Sequence, residues 1–187
     1  MLASTSPYRR ELLERLGVPF DVAAPQVDEA LEASEAPRDA VVRLAVAKAR
    51  AVAAREPEAV VLASDQLASL DGRPLGKPGT AANAVAQLGA MAGATVTYCT
   101  ALAIMAPGFA DATGLDLSRV TLRRLGGKEI SRYVEAARPL DCAGALKLEG
   151  AGIALCERME TNDPTALIGL PLIATARLLR ERGFEIP

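Results

Sequence analysis

The sequence predicts an α/β protein in which a curved, mixed β-sheet is flanked by helices. Capped segments with apolar residues at helical spacing indicate the helices, and short apolar runs with valine indicate the strands. These elements follow one another without strict βαβ repetition, which favours a mixed sheet. Half of the 187 residues are apolar, so the chain can bury a core, and we expect one domain over 1–187.

The first part of the chain predicts two helices with local start and stop signals. Ser6 is a typical N-cap and Pro7 a typical first helical residue, because the hydroxyl accepts from a free amide and proline has no amide to satisfy. This helix ends at Gly17, since glycine readily adopts the left-handed conformation of a helix terminus. A second, alanine-rich helix is predicted from Pro37 to Arg55.

The middle of the chain predicts a buried strand, a hairpin and a third helix. The apolar run AVVLASD at 59–65 is typical of a strand buried on both faces, and we expect it to end at Asp65. The later pair Asp71–Gly72 is typical of a tight hairpin turn. Thr80 then caps a helix that continues through Met91.

The second half of the chain predicts three strands and two helices. We expect a long strand at 94–106, an amphipathic strand at 116–125 paired with it, and a helix at 127–137. The segment AGIALCE at 151–157 is predicted as a further strand. After a turn, an apolar helix closes the fold and ends at Gly183.

Composition and charge exclude several functional classes. The formal net charge of −2 and the scattered arginines provide no basic field for a nucleic-acid polymer, and three tyrosines with three phenylalanines are too few for a base-stacking track. The apolar runs are short, and no basic and apolar signal pattern opens the chain. We therefore expect a cytoplasmic protein that acts on a small molecule, with neither a nucleic acid nor a membrane as partner.

The absence of histidine narrows the chemistry. It removes Ser-His-Asp and Cys-His catalysis and the HExxH zinc site. The three cysteines, at 99, 142 and 156, form no CxxC pair and are typical of small buried side chains. Catalysis must therefore use carboxylates, amines, hydroxyls or a hard metal ion.

Lys77 lies in a Gly-Lys-Pro loop that only partly matches a phosphate-binding loop. Gly72 is one residue too close for the GxxxxGK[ST] motif, and Pro78 stands where a hydroxyl would have to hold magnesium. The motif is therefore absent. Lys77 itself is either a phosphate ligand or a solvated loop lysine.

Three carboxylates and one lysine are the other candidates. Asp65 follows a buried strand, where open α/β sheets place their chemistry, although an aspartate there also caps turns. Asp28 and Glu29 lie in a loop and, taken alone, are typical of solvated surface. Lys48 shares an apolar helix face with Leu44, so it either snorkels to solvent or points into a cleft.

Taken together, a set of hydroxyl, cationic and acidic residues can bind phosphates and a hard divalent ion: Ser4, Arg9, Glu29, Lys48, Asp65 and Lys77. This set predicts metal-assisted hydrolysis of a nucleoside polyphosphate.

Several segments resemble, in order and spacing, those of the Maf-like nucleoside triphosphate pyrophosphatases. They are LASTSPYRRELLERLG, VDE, RLAVAKA, ASDQ, LDGRPLGKP, YVEAARPLDCAGALKLEG and IGLPLIATARLL, and they cover essentially the whole chain. The chain is most similar to the 7-methyl-GTP pyrophosphatase branch, because Gln66 follows Asp65 where the dTTP/UTP branch has threonine, and because of its CAG…K.EG segment. The resemblance implies two lobes around a central cleft.

The resemblance also implies a reaction and its residues. The bond between the α and β phosphates is hydrolysed to give a nucleoside monophosphate and pyrophosphate, with Mg²⁺, Mn²⁺ or Co²⁺ as cofactor. Asp65 matches the proton acceptor, with Lys48 and Lys77 as further catalytic residues, and Glu29 rather than Asp28 would hold the metal with Asp65. The positions that match phosphate-binding residues are Ser4, Arg9, Lys48 and Lys77. The positions that distinguish the substrate branches are Tyr8, Gln66 and Glu149.

Simple physics agrees with these implied roles. A triphosphate at the start of the first helix would gain from the helix dipole and free amides. A 7-methylated guanine is cationic, so the aromatic face of Tyr8 and the acceptor Glu149 suit it, although Tyr8 could equally pack on its helix.

The chain departs from the family pattern at two sites. Ala101 stands where the family usually has glycine, and Ala145–Leu146 stand where this branch has Ser-Phe, close to the base-selective segment. The chain also starts a few residues later than its relatives, so either the first strand is short or the true start lies upstream of Met1.

Three alternatives stay open at this point. The substrate could be dTTP or UTP, or a broader range of nucleoside triphosphates. A role of another class is a nucleotide-binding regulator of septum formation. The family also makes a homodimer an expected assembly.

Overall fold

The computed structural model describes residues 1–186, in which strands and helices alternate along much of the chain. In chain order the elements are β1 (Leu2–Ala3), α1 (Pro7–Glu14), β2 (Val22–Ala23), α2 (Pro37–Ala53), β3 (Val61–Leu70), β4 (Arg73–Leu75), α3 (Ala81–Met91), β5 (Thr95–Met105), β6 (Ala112–Leu122), α4 (Gly127–Ala137), β7 (Cys156–Glu160) and α5 (Leu172–Arg180). Short 3₁₀ turns lie at Ala143–Ala145, Ala151–Leu155 and Ala166–Ile168.

The strands form one mixed sheet. β1 pairs in parallel with β2 and β3, with Leu2 opposite both Val22 and Leu62. β3 pairs antiparallel with β4, and β6 pairs antiparallel with β7. The strand order is β2-β1-β3-β5-β6-β7, with β4 added to β3. The predicted α/β class, a mixed sheet flanked by helices, is confirmed.

The described chain divides into two compact units. The first unit contains Met1–Gln66, Thr100–Asp116 and the segment from Asp163 onward, and the second contains Leu67–Cys99 and Leu117–Asn162. β3, β5 and β6 each contribute residues to both units. The single domain and the cleft that the sequence predicts stay predictions.

The core of the first unit combines residues from both ends of the chain. Its apolar cluster consists of Leu2, Leu12, Leu13, Leu62, Leu102, Ile104, Leu170, Leu178 and Leu179. Burying each such side chain contributes roughly 1.5–3 kcal/mol. The cluster therefore fixes α1 and α5 on the strands, and with them the side chains that those helices carry.

In the first unit, α1 and α2 begin where the sequence predicts. Ser6 Oγ accepts a hydrogen bond from Arg9 N at 3.4 Å, Pro7 is the first helical residue, and Gly17 follows the helix with φ of +68°. α2 begins at Pro37, and its buried face carries Lys48.

The second unit contains the predicted hairpin and helices. Asp71 and Gly72 both have positive φ, 50° and 78°, as a type I′ turn requires. Thr80 Oγ1 caps α3 by accepting from Asn83 N at 3.2 Å. α4 has the predicted bounds and packs against α3.

β3 continues past Asp65 to Leu70, so the prediction that the strand ends at Asp65 is wrong. The polar pair Asp65–Gln66 does not interrupt the strand, because both side chains find partners within the first unit. Lys48 donates to Asp65, and the carbonyl oxygen of Ala166 accepts from Gln66. Asp65 therefore lies inside a strand rather than at the carboxyl edge of the sheet.

The strand predicted at 151–157 is wrong over its first part, since Ala151–Leu155 is a 3₁₀ turn and β7 begins at Cys156. Gly152 N donates to Lys147 O at 3.0 Å, and a Cβ on Gly152 would lie 2.5 Å from that oxygen. The Gly152 amide therefore closes a turn instead of joining the sheet.

β6 starts earlier than predicted, at Ala112 rather than at 116, and ends at Leu122. Its first residues include Gly114 and carry little apolar character, so the apolar pattern did not include them.

No helix in residues 1–186 combines the length and the apolar character needed to cross a membrane. The longest, α2, has 17 residues and carries several charges.

Candidate active site

Lys48 joins two carboxylates in the first unit. Its Nζ donates to Asp65 Oδ1 at 2.5 Å and lies 2.9 Å from Glu29 Oε2. The side chains of Lys48 and Asp65 are 5% and 8% exposed, whereas that of Glu29 is 60% exposed. Because buried charges are stable only when paired, Lys48 is a buried ion-pair residue and not a lysine that snorkels to solvent.

The loop between β2 and α2 supplies Glu29 rather than Asp28 to this cluster. Asp28 Oδ1 accepts a hydrogen bond from Ala30 N at 2.9 Å, which closes a local turn and leaves Asp28 exposed. Glu29 is therefore the acid that contacts Lys48, and its role toward a metal stays a prediction.

Arg9 is held by one backbone carbonyl and lies in the field of the two acids. Its Nε donates to Gly169 O at 2.9 Å. Burial lowers the pKa of Arg9 from its ordinary value, and the charges of Asp65 and Glu29 oppose that shift. Because an arginine stays charged at physiological pH, its terminal NH groups remain cationic donors that suit a phosphate. Glu29, Asp65 and the two cations thus form one electrostatic cluster.

Ser4 is buried after β1 and orders the start of α1. Its Oγ accepts from Ser6 N at 3.1 Å, and Ser6 Oγ accepts in turn from Arg9 N at 3.4 Å. Pro7 has no amide hydrogen. These amides are therefore used inside the protein or missing, so they are not the free amides that the sequence predicts at the start of α1.

Gln66 is held by acceptors from two segments of the first unit. Its Nε2 donates to Ala166 O at 2.7 Å and to Leu167 O at 3.2 Å, and it lies 3.0 Å from Thr100 Oγ1. Because a carbonyl oxygen only accepts, the amide nitrogen must face Ala166 and Leu167. Oε1 is then the atom through which Gln66 can accept a hydrogen bond from a ligand.

Three buried polar residues around these side chains were not predicted from the sequence: Ser64, Thr100 and Asp163. Ser64 Oγ lies 2.8 Å from Gly169 O, and Thr100 Oγ1 donates to Ala166 O at 2.9 Å. Both hydroxyls lie inside apolar strands, where periodicity carries no signal for them. Asp163 precedes a Pro-Thr pair, a helix-start pattern that could have indicated it.

Two of the expected site residues, Lys77 and Glu149, belong to the second unit. Lys77 is exposed in the loop between β4 and α3, which is anchored where Gly79 N donates to Leu140 O at 3.0 Å. Glu149 is exposed in the turn that precedes the 3₁₀ turn before β7. Tyr8, in the first unit, is partly buried on the first turn of α1.

The departures from the family pattern are all buried. Ala101 lies in β5, and its carbonyl oxygen lies 2.6 Å from Ser64 Oγ. Ala145 has φ of +55°, and Leu146 follows it inside the second unit. Because these side chains are buried, the departures change packing and do not present new groups to solvent.

The carboxylates available for a divalent cation are those of Asp65 and Glu29, and both contact Lys48. In the part of the chain that the structure describes, no three His, Cys, Asp or Glu side chains come together as a ready-made cage. Mg²⁺ is commonly bound by one or two carboxylates together with substrate phosphates and water. The donor set therefore fits a divalent cation that binds together with the phosphates of a nucleotide.

Comparison with known proteins assigns nearly the whole chain to one family. A family model described as "Maf-like protein" matches residues 1–182. The chain is 54% identical over 187 residues to a 7-methyl-GTP pyrophosphatase of Xanthomonas oryzae pv. oryzae, covering 100% of this chain and 98% of the relative. It is 55% identical over 188 residues to one of Xanthomonas campestris pv. campestris, covering 100% and 97%. It is 52% identical over 190 residues to one of Albidiferax ferrireducens, covering 100% and 94%.

Among the solved structures that match is the nucleoside-triphosphatase / dITP/XTP pyrophosphatase of Mycobacterium abscessus, at 17% identity and a TM-score of 0.43. The match covers 97% of this chain and 93% of that one.

Proposed function

Because the chain belongs to the Maf-like protein family, we propose that it hydrolyses the bond between the α and β phosphates of 7-methyl-GTP, giving 7-methyl-GMP and pyrophosphate. The observation that carries this proposal is identity above 50% over the whole chain to relatives that are named 7-methyl-GTP pyrophosphatase. Hydrolysis of a small molecule is consistent with the cytoplasmic location that the sequence predicts. The cytoplasmic location and the homodimer stay predictions.

In this reaction Asp65 accepts the proton of the attacking water. Its carboxylate is fixed by Lys48 at 2.5 Å, so it has one defined position inside β3. A base must be held within hydrogen-bond reach of the proton that it takes, and a rigid strand meets that condition better than a loop.

The phosphates are bound by cations that the first unit has already arranged. Arg9 uses its Nε for the Gly169 contact, so its terminal NH groups are assigned to the phosphates, and the Lys48 ammonium lies between the two acids. Planar guanidinium contacts and a nearby ammonium stabilise the charge that builds on departing pyrophosphate. Lys77 is the further phosphate-binding lysine in this proposal.

Asp65 and Glu29 would hold a divalent cation, Mg²⁺, Mn²⁺ or Co²⁺, whose charge the site calls for. Arg9 and Lys48 carry two positive charges, and Glu29 and Asp65 carry two negative ones, so these four residues sum to zero. A triphosphate is strongly anionic, so its binding there calls for added positive charge. Bound by Asp65 and Glu29, the cation would supply that charge and lower the pKa of bound water.

Base selection is assigned to Gln66, Tyr8 and Glu149. Gln66 offers Oε1 as an acceptor, because its Nε2 is already bonded to Ala166 O and Leu167 O. The aromatic face of Tyr8 and the carboxylate of Glu149 suit the positive charge of a 7-methylated guanine.

The proposal is tested by the specificity constants for 7-methyl-GTP, GTP, dTTP and UTP. We expect 7-methyl-GTP to be the best substrate, Asp65→Asn to remove turnover while binding persists, and Gln66→Thr to reduce the preference for 7-methyl-GTP. A higher kcat/KM for dTTP or UTP would overturn the choice of substrate and favour the alternative branch. Retained turnover in Asp65→Asn would overturn the role of Asp65.

A further inference from the structure

We propose that Asp163 is a positioning residue that sets the orientation of both Arg9 and Gln66. It acts through the segment 163–171, here called the anchor loop, whose carbonyl oxygens hold these two side chains. The inference rests on the proposed function, since it assigns a role within the same nucleotide site.

The carboxylate of Asp163 is buried, and both of its oxygens accept hydrogen bonds. The residue is 4% exposed, and its Oδ1 accepts from Thr165 N at 2.9 Å and from Thr165 Oγ1 at 2.6 Å. Its Oδ2 accepts from Ile173 N at 2.7 Å, in the first turn of α5. One side chain therefore ties the beginning of the anchor loop to the helix that follows it, where the helix dipole favours a negative charge.

Thr165 carries this connection through the rest of the anchor loop. Its Oγ1 accepts from Leu172 N at 2.8 Å, so it closes the loop against α5 a second time. Its carbonyl oxygen accepts from Ile168 N at 3.1 Å and from Gly169 N at 3.2 Å. The positions of Ala166 to Gly169 are thus fixed by bonds that begin at Asp163.

Two carbonyl groups of the anchor loop reach the candidate site. Ala166 O accepts from Gln66 Nε2 at 2.7 Å, and Gly169 O accepts from Arg9 Nε at 2.9 Å. Gly169 has φ of +126°, and a Cβ there would lie 3.5 Å from Arg9 Nε. The anchor loop must therefore keep one backbone conformation to hold both Arg9 and Gln66. The hydrogen bonds of Asp163 stabilise that conformation.

Asp163→Asn tests this role with a nearly isosteric change. An asparagine has one acceptor oxygen, so its amide NH₂ must face a donor at either Thr165 or Ile173. We expect the anchor loop to shift, and a misplacement of about 1 Å caused by a change far from the chemistry can cost roughly 100-fold in rate. We expect kcat/KM for 7-methyl-GTP to fall by about 10- to 100-fold, with a higher KM. We also expect the preference for 7-methyl-GTP over dTTP to decrease.

Thr175→Val is the matched control. Thr175 is fully buried in α5, and its Oγ1 donates at 2.8 Å to the carbonyl oxygen of Pro171, the last residue of the anchor loop. That carbonyl also accepts from Thr175 N at 2.9 Å, so it keeps a partner in the variant. We expect Thr175→Val to lower Tm while the preference for 7-methyl-GTP over dTTP stays as in the wild type.

Two further measurements keep the inference testable. If Asp163→Asn does not fold, Thr165→Val removes the next link of the same chain of bonds and should reduce the same preference. In the double variant Asp163→Asn/Gln66→Ala, the loss of preference should be smaller than the product of the two single losses, because both changes act on one side chain.

The inference and the proposed function fail in different ways. A wild-type protein that does not prefer 7-methyl-GTP refutes the proposed substrate. The inference is then judged by hydrogen exchange without nucleotide, where Asp163→Asn should expose the amides of Ile168, Gly169 and Ile173 and Thr175→Val should not. Unchanged exchange at Ile168 and Gly169 would overturn the positioning role, as would a preference and KM in Asp163→Asn equal to those of Thr175→Val.

Discussion

Replacing Lys48 by methionine would leave a buried acid without its partner. Asp65 loses the ammonium at 2.5 Å, while its own side chain is only 8% exposed. Removing one member of a buried ion pair costs about 3–5 kcal/mol, because the remaining charge is neither solvated nor paired. We therefore expect Lys48→Met to lower the free energy of unfolding by about 3–5 kcal/mol, a large part of the roughly 5–15 kcal/mol typical of a domain.

The assay is urea unfolding at pH 7, with two reference variants. Arg10→Met removes a surface cation from its pair with Glu14, where the side chains are 65% and 54% exposed, and should cost no more than about 1 kcal/mol. The double variant Lys48→Met/Asp65→Leu replaces both buried charges by apolar groups and should recover most of the stability, but it should have no activity.

A small loss of stability in Lys48→Met would contradict the expected cost of an unpaired buried carboxylate. If Lys48→Met lowers the free energy of unfolding no more than Arg10→Met does, removing Lys48 does not leave an uncompensated buried charge on Asp65. If the double variant is no more stable than Lys48→Met, the cost does not come from the unpaired carboxylate of Asp65.

Three other expectations address the second unit and the cofactor. Gly152→Ala places a Cβ 2.5 Å from Lys147 O and should lower the free energy of unfolding by about 1–3 kcal/mol. Gly150→Ala is the control and should lower it less, because the atoms nearest to its Cβ lie at 3.8 Å. Equal Tm values for the two variants would contradict this expectation. Burial raises the pKa of Tyr133 from 10.0 to about 12, so the folded protein keeps a proton that the unfolded chain loses. The contribution of Tyr133 to stability is complete below pH 10.0 and is lost as the pH rises toward 12. Between these pH values, the free energy of unfolding should therefore fall less steeply with pH in Tyr133→Phe than in the wild type. An unchanged slope would contradict the raised pKa of Tyr133. Chelation of divalent cations should abolish turnover and Mg²⁺ should restore it, and full activity in excess chelator would exclude the cofactor.

The sequence predicted the parts of the fold that local chemistry determines. Ser6 and Thr80 cap helices with their own hydroxyls, and the Asp71–Gly72 pair adopts the positive φ values of its turn. Each of these signals depends on neighbours within a few positions, so a single sequence is enough to find them.

Other features depend on residues far apart in the chain and could not be predicted in this way. β3 runs through Asp65 because Lys48 pairs with that acid, and Gln66 is held by the carbonyl of Ala166, which lies 100 positions later. A charge in the middle of a strand gives the same local signal as a charge at its end. The partners that distinguish the two cases appear only in the folded structure.

The candidate site was predictable in composition but not in arrangement. The sequence indicated Glu29, Lys48 and Asp65 as members of one set but gave no contacts between them, and the structure shows one ammonium between two acids. The anchor loop was not predicted, because the bond from Arg9 to Gly169 spans 160 positions and involves a backbone carbonyl that no side-chain motif marks.

Separation of the products by anion-exchange chromatography shows directly whether 7-methyl-GTP is cleaved between its α and β phosphates. The wild-type protein with Mg²⁺ should release 7-methyl-GMP and pyrophosphate in equal amounts, and Asp65→Asn should release neither. Release of orthophosphate together with 7-methyl-GDP would place the cleavage at the γ phosphate and contradict the account.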